Sequence, residues 1–240
     1  MTQTDPERPL GAVVENWTPP EAPGGEILEG RYARLEPLSA KDHAAPLFAA
    51  YAGHDAIWDY MPCGPFGTEA QYRDWVRETV ANPAHMFYAI RDRETGEIGG
   101  VASYLRIDPA AGSIEVGNIA YGPSLQRTRA ATETMTLMMG WAFDAGYRRY
   151  EWKCNALNAP SRRAAQRLGF SYEGVFRQAL VVKGRNRDTA WFAAIDKEWP
   201  ALRDAFGQWL DPANFDGSGR QITPLGRLTE EIRVASDPTV

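Results

Sequence analysis

Two hydrophobic periods interleave along this chain. Alternation of apolar and polar positions predicts strands over residues 31–37, 86–91, 98–107, 113–121 and 149–154. Two more alternating runs, 170–182 and 189–196, flank a charged loop at 183–188. Helical spacing predicts helices over 40–52, 68–80, 132–145 and 199–210. Thr68 is the expected cap of the second helix. The third presents Met135, Met138, Ala142 and Ala145 on one face and stops at Gly146. A shorter helix lies between Asn158 and Gly169: Asn158 or Ser161 caps it, Pro160 fits its first turn, and Arg162, Arg163 and Arg167 face outward. Strands lead in an antiparallel run and the best helices fall between strands later. The fold class is therefore α/β (α+β), a mixed, mostly antiparallel twisted sheet flanked by helices, with two crossover helices near a ligand end. Residues 1–28 read as an irregular arm, 29–199 as the domain, and 200–240 as a helix and tail. Phe215, Ile222, Leu225 and Leu228 are spaced so that the tail can drape over the domain or over a second subunit, so a homodimer is allowed.

Composition narrows the function. At 240 residues the chain can bury one substantial core. No apolar run is long enough to span a bilayer, and the polar start of the chain does not resemble a secretory leader. Cys63 and Cys154 are too few and too far apart for a disulfide framework or a thiolate zinc site, and His43, His54 and His85 have no metal-ligand spacing. Cytoplasmic residence, no metal and no membrane partner are the expectations. The net charge of -5 conceals an asymmetry: residues 125–190 carry twelve Lys and Arg against five Asp and Glu. A local basic field in an acidic protein favours a small polyanion over nucleic acid.

Three segments place that field. They are Leu125 through Glu133 (LQRTRAATE), Asn158 through Phe170, and Gly184 through Thr189. In this order and context the chain resembles the GNAT superfamily of acetyl-CoA-dependent N-acetyltransferases, in particular its RimJ/RimL-like branch, over residues 31–199. The resemblance implies acetyl-CoA as cosubstrate and a primary amine as acceptor: a protein N-terminal α-amine, an amino acid or a small amine. It implies that Gln126, Arg127, Thr128, Arg129, Ala130, Ala131 and Thr132 form the pyrophosphate loop. Arg129 stands where the family usually has glycine; arginine adopts a positive φ with difficulty, so a somewhat different loop path is expected. Ile119, Ala120 and Tyr121 would line the pantetheine arm with Asn155, Asn158, Ser161 and Arg162. For Asn158 and Ser161 simple capping is an equal alternative.

The implied chemistry is direct attack of a neutral amine on the thioester in a ternary complex. Backbone amides near Asn118–Ala120 would face the oxyanion, aided by a bulge at Val116-Gly117-Asn118. Glu115 is the leading candidate base and Asp188 the second. The tyrosine acid common in the family is replaced by Ala165, leaving Ser161, Tyr172 or water. Trp58, Asp59, Tyr60 and Phe66, in an aromatic and turn-rich stretch, are expected to wall the acceptor pocket. A CoA-binding sensor without turnover, or a transferase of longer acyl chains, is the alternative.

Overall fold

The computed structural model describes residues 9–240. Eight strands form one sheet in the order β1-β2-β3-β4-β5-β6-β8-β7. They are β1 (Leu28–Glu29), β2 (Ala33–Pro37), β3 (His85–Asp92), β4 (Ile98–Asp108), β5 (Ser113–Tyr121), β6 (Arg149–Asn155), β7 (Ser171–Val182) and β8 (Arg185–Ile195). Every neighbouring pair is antiparallel except β5 and β6. The helices are α1 (Ala44–Tyr51), α2 (Glu69–Val80), α3 (Arg129–Asp144), α4 (Ala159–Arg167), α5 (Trp199–Leu210) and α6 (Leu225–Thr229). The mixed, mostly antiparallel sheet expected from the sequence is what forms, and α3 and α4 are its two crossovers.

Two cores lie on opposite faces. α3 and α5 cover one face, packing Met135, Met138 and Phe206 against Tyr104, Ile114, Tyr150 and Phe192. α1 and α2 cover the other face over β3–β5 only, packing Leu47, Tyr51, Tyr72 and Val76 against Phe87, Ala89 and Val101. Glu133, buried on α3, accepts the backbone N–H groups of Arg31, Tyr32 and Ala33 at 2.9, 2.6 and 2.7 Å, fixing the start of β2.

Several boundaries differ from the sequence expectation for identifiable reasons. α1 begins at Ala44, not residue 40, which leaves Pro46 in its first turn, where its missing N–H costs nothing. α3 begins at Arg129, three residues early, because the Thr128 side chain accepts from Ala131 N at 3.0 Å. The charged loop at 183–188 shrinks to a turn at Lys183 and Gly184, both at positive φ (49° and 72°), and β8 extends back to Arg185. The arm is anchored where it is described: Arg148 lies over the Trp17 ring at 5.6 Å, and Tyr147 donates to the Glu21 carbonyl at 3.2 Å. Residues 1–8 of that arm lie outside the described residues. The tail packs on its own domain, burying Leu225 completely in the main core and setting Phe215 on Trp209.

Candidate active site

β5 and β6 pair from Ser113↔Arg149 to Val116↔Trp152 and then part. β5 runs on to Tyr121 and β6 to Asn155 without pairing to each other. A bulge accompanies the separation. Between the pairs Val101↔Ala120 and Ser103↔Gly117, two residues of β5, Asn118 and Ile119, stand opposite one of β4, with Asn118 at φ 51°. Such a bulge bends its strand and increases its twist. It is stapled from inside: Asn118 Nδ2 donates to Ser103 Oγ at 2.9 Å, and Ser103 donates to the Gly117 carbonyl at 3.2 Å. The bulge expected at Val116-Gly117-Asn118 thus falls slightly later, at Asn118 and Ile119.

The loop after β5 leads to the N-terminus of α3. The Gln126 side-chain amide donates to the Tyr121 carbonyl at 2.8 Å, and Thr128 caps the helix. The amides of Arg129 and Ala130 therefore have no acceptor among the described residues, as the first two N–H groups of a capped helix must. Together with the dipole of a 16-residue helix they form a seat for an anion. The positive φ in this loop falls at Arg127 (63°), so the strain expected at Arg129 does not arise there. Arg129 is simply the first helical residue. Its guanidinium is committed elsewhere, bonded to Glu94 at 2.8 Å and placed between the Tyr32 and Phe215 rings.

Across the gap, α4 starts beside the end of β6. Asn158 is the cap, accepting from Ser161 N at 3.1 Å, and Gly169 ends the helix at φ 87°. Ser161 Oγ accepts the Trp152 indole N–H at 3.0 Å. Asn155 holds the intervening turn, accepting from Leu157 N at 2.9 Å. Two of the three arginines of α4 do not face outward. Arg162 is 8% exposed and bonds Asp237 through both Nε (2.6 Å) and Nη2 (2.7 Å), and the Ala156 carbonyl through Nη1 (2.8 Å). Buried and tied to Asp237 and the Ala156 carbonyl, it anchors the tail rather than standing free for a cofactor phosphate. Arg167 stacks on Trp209 and bonds Thr132 Oγ1 of α3 at 3.2 Å. Ala165 is fully buried in the main core. Tyr172 packs on Phe192 on that same core side, so neither position offers an acid to the gap.

The face of β5 and β6 turned away from α3 is polar. Lys153 Nζ lies 2.9 Å from Glu115 and 2.6 Å from Glu151, and 3.8 Å from the centre of the Trp191 ring. Arg106 grips Glu115 through both carboxylate oxygens at 2.7 and 2.8 Å. Glu115, expected as the leading candidate base, is thus a buried carboxylate bonded by two cations. Asp188 is also occupied: it accepts from Gln178 N at 2.7 Å and from Asn186 at 3.0 Å, closing a three-residue bulge in β7. Those bonds hold its carboxyl below the usual range. His85 shares the Glu115 face through the register His85↔Leu105↔Glu115. Burial, with Arg106 nearby, lowers its pKa, so the ring is neutral at physiological pH. Sequence reading missed it, weighing His85 only as a metal ligand; the signal available was its place at the start of a strand.

The aromatic stretch forms the roof of this face. Trp58 is buried edge-on against Tyr51 and Phe66 (5.1 Å each), and Gly64, at φ 63°, lies so close that a Cβ would meet the indole at 2.7 Å. A pocket of about 280 Å³ is lined by Tyr51, Asp55, Trp58, Phe66 and Tyr72 among others. Tyr51 donates to the Ala120 carbonyl at 3.1 Å, tying the roof to the diverging strand. Of the four residues expected to wall an acceptor pocket, Trp58 and Phe66 line this cavity, and Asp59 and Tyr60 are exposed. Tyr60 instead reaches the Leu157 carbonyl at 3.3 Å, and Lys183 donates to the Trp58 carbonyl at 2.8 Å. The roof is thereby bridged to the far wall at two points.

Residues 33–171 match the family described as Acetyltransferase (GNAT) domain. The chain belongs to the GNAT acetyltransferase family. A GCN5-related N-acetyltransferase from Brucella melitensis superposes with a TM-score of 0.88 at 46% identity, covering 90% of this chain and all of that one. A probable GNAT acetyltransferase from Chromobacterium violaceum gives 0.77 at 39%, covering 82% and 100%. The uncharacterized N-acetyltransferase p20 of Bacillus licheniformis is 26% identical over 72% of this chain and 98% of its own length. This GNAT chain is therefore an acetyltransferase with the family's open sheet. Among its described residues no cluster of three or more His, Cys, Asp or Glu could hold a metal, and no helix is long and apolar enough to cross a membrane.

Proposed function

We propose that this enzyme transfers an acetyl group from acetyl-CoA to a primary amine by direct attack in a ternary complex, the cofactor threading the gap where β5 and β6 part. That separation is the observation that carries the reading. It leaves the backbone of Gly117–Tyr121 on one side and Lys153–Asn155 on the other, with the anion seat of α3 at its end. These features fit an elongated ligand with a pyrophosphate. When bound, acetyl-CoA supplies an activated acetyl thioester. The chain's own work is to seat the phosphates on the Arg129 and Ala130 amides, to present backbone N–H groups around the Asn118 bulge to the carbonyl oxygen, and to handle protons.

His85 takes the proton-accepting role in this reading, through water: it is neutral, and no cation holds it. Glu115 fixes Lys153 and Arg106 and thereby shapes the face. Ser161, held by the Trp152 indole at the start of α4, is the proposed donor to the departing sulfur. Within the family we read the motifs as RimJ/RimL-like, with a protein N-terminal α-amine, an amino acid or a small amine as acceptor. The thiols of Cys63 and Cys154 are both free, in keeping with a cytoplasmic enzyme. Gel filtration reads whether it works as the homodimer that the sequence allows.

Incubation with acetyl-CoA and a panel of amines, reading free thiol, tests the reading. Amine-dependent thiol release is the expected result. Tight CoA binding without release from any amine would favour the sensor alternative, and preference for a longer acyl-CoA would change the donor.

A further inference from the structure

Three side chains at alternate positions of β8 carry buried polar atoms with no hydrogen-bond partner among the described residues: Arg187 Nε, Thr189 Oγ1 and Trp191 Nε1. Their neighbours Ala190, Phe192 and Ala194 are fully buried in the α3 core, so the three point the other way, onto the polar face with Lys153. The register places Thr189 opposite Asn155 and Trp191 opposite Lys153, at the end of β6 that has left β5. Arg187 follows in the same row, beyond the last paired residue of β6.

Buried donors are nearly always satisfied, and a desolvated cation without a counter-charge is costly. Arg187 is half-buried and makes no ion pair among the described residues; burial lowers its pKa. The neighbouring carboxylates are taken: Asp188 by the β7 bulge, Glu115 by Arg106 and Lys153, and Glu151 by Lys153 and Arg149. The row therefore carries a cation with no counter-charge among the described residues. The roof is tied to the chain after β6 by Tyr60 and to the β7–β8 turn by Lys183. From Arg187 to Trp191 the strand spans about 13 Å, enough for a small molecule and its charged end.

We infer that the acceptor is a small amine bearing a carboxylate or phosphate, and that Arg187, with Thr189 and Trp191, receives this anionic group. The inference rests on the acetyl-transfer reading for the amine and on the β8 row for the anion, and the two are separable.

Turnover is measured on matched pairs: β-alanine against β-alaninamide for the carboxylate, and phosphoethanolamine against ethanolamine for the phosphate. At least one anionic member should exceed its neutral partner tenfold or more in kcat/KM. Arg187→Gln should erase that ratio, Arg187→Lys should recover part of it, and Thr189→Val should reduce it several-fold, with Tm reporting that each variant is folded. Equal or reversed ratios in the wild type, a ratio that survives Arg187→Gln, or exclusive use of peptide N-termini would overturn the inference. If no amine is acetylated, the transfer reading falls. Calorimetry of CoA-loaded protein with glutarate and with inorganic phosphate then decides the anion site alone. Binding lost in Arg187→Gln upholds it. Absence of binding, or an Arg187→Gln defect confined to CoA affinity, sinks it.

Discussion

One face of this sheet is finished in two different ways. Over much of β3–β5 it is an apolar core: Phe87, Ala89 and Val101 lie under Tyr51, Tyr72 and Val76 of α1 and α2. Over β6 and β8 the same face carries Glu151, Lys153, Thr189 and Trp191, mostly buried and with no helix packed on them. The change falls at β5, where Glu115 meets Lys153 and where pairing to β6 stops. Identical strand periodicity thus builds a core on one side of the divide and a site on the other. The difference is that polar side chains on the second half pair with one another or wait for a ligand.

The sharpest way to break this contrast is Lys153→Met. If the second half were merely a poor core, a long apolar side chain there would be tolerated. Because the substitution removes the cation between Glu115 and Glu151 and leaves each to a single arginine, we expect a loss of about 1.5–3 kcal/mol in urea unfolding. Removing the cap of α3 has a smaller effect. Thr128→Ala should cost about 1 kcal/mol and weaken CoA binding several-fold by loosening the anion seat, read by denaturation and calorimetry. The smallest expected effect is a change of pH profile. Burial and Arg106 keep the His85 ring deprotonated to lower pH than free imidazole. With His85 accepting the proton, kcat/KM should therefore fall only once pH drops below the range in which free imidazole protonates, and His85→Gln should abolish that acid limb. An acid limb that persists unchanged would remove His85 from the role.

Much of the fold was legible in the sequence because periodicity reports which face is buried, and caps report where helices start. Thr68, Asn158 and Gly169 all act as their residue types suggest. Errors arose where tertiary partners decide. Arg162 reads as a surface residue until Asp237, far along the chain, closes on it. Glu115 reads as a free carboxylate because nothing local announces Arg106 and Lys153 as its partners. The site was legible as segments, since the loop before α3 and the start of α4 are local structures. Its proton chemistry was not, because it depends on which groups the sheet register brings together, as with His85, Leu105 and Glu115. The Lys183-Gly184 turn was hidden by the charged residues after it, which belong to β8.

A crystal structure with CoA bound decides whether the parted strands hold the cofactor. Pyrophosphate oxygens are expected about 3 Å from the amides of Arg129 and Ala130. The pantetheine arm is expected between Gly117–Tyr121 and Lys153–Asn155. A cofactor lying elsewhere, or β5 and β6 paired beyond Val116 and Trp152 with no room between them, would contradict this placement.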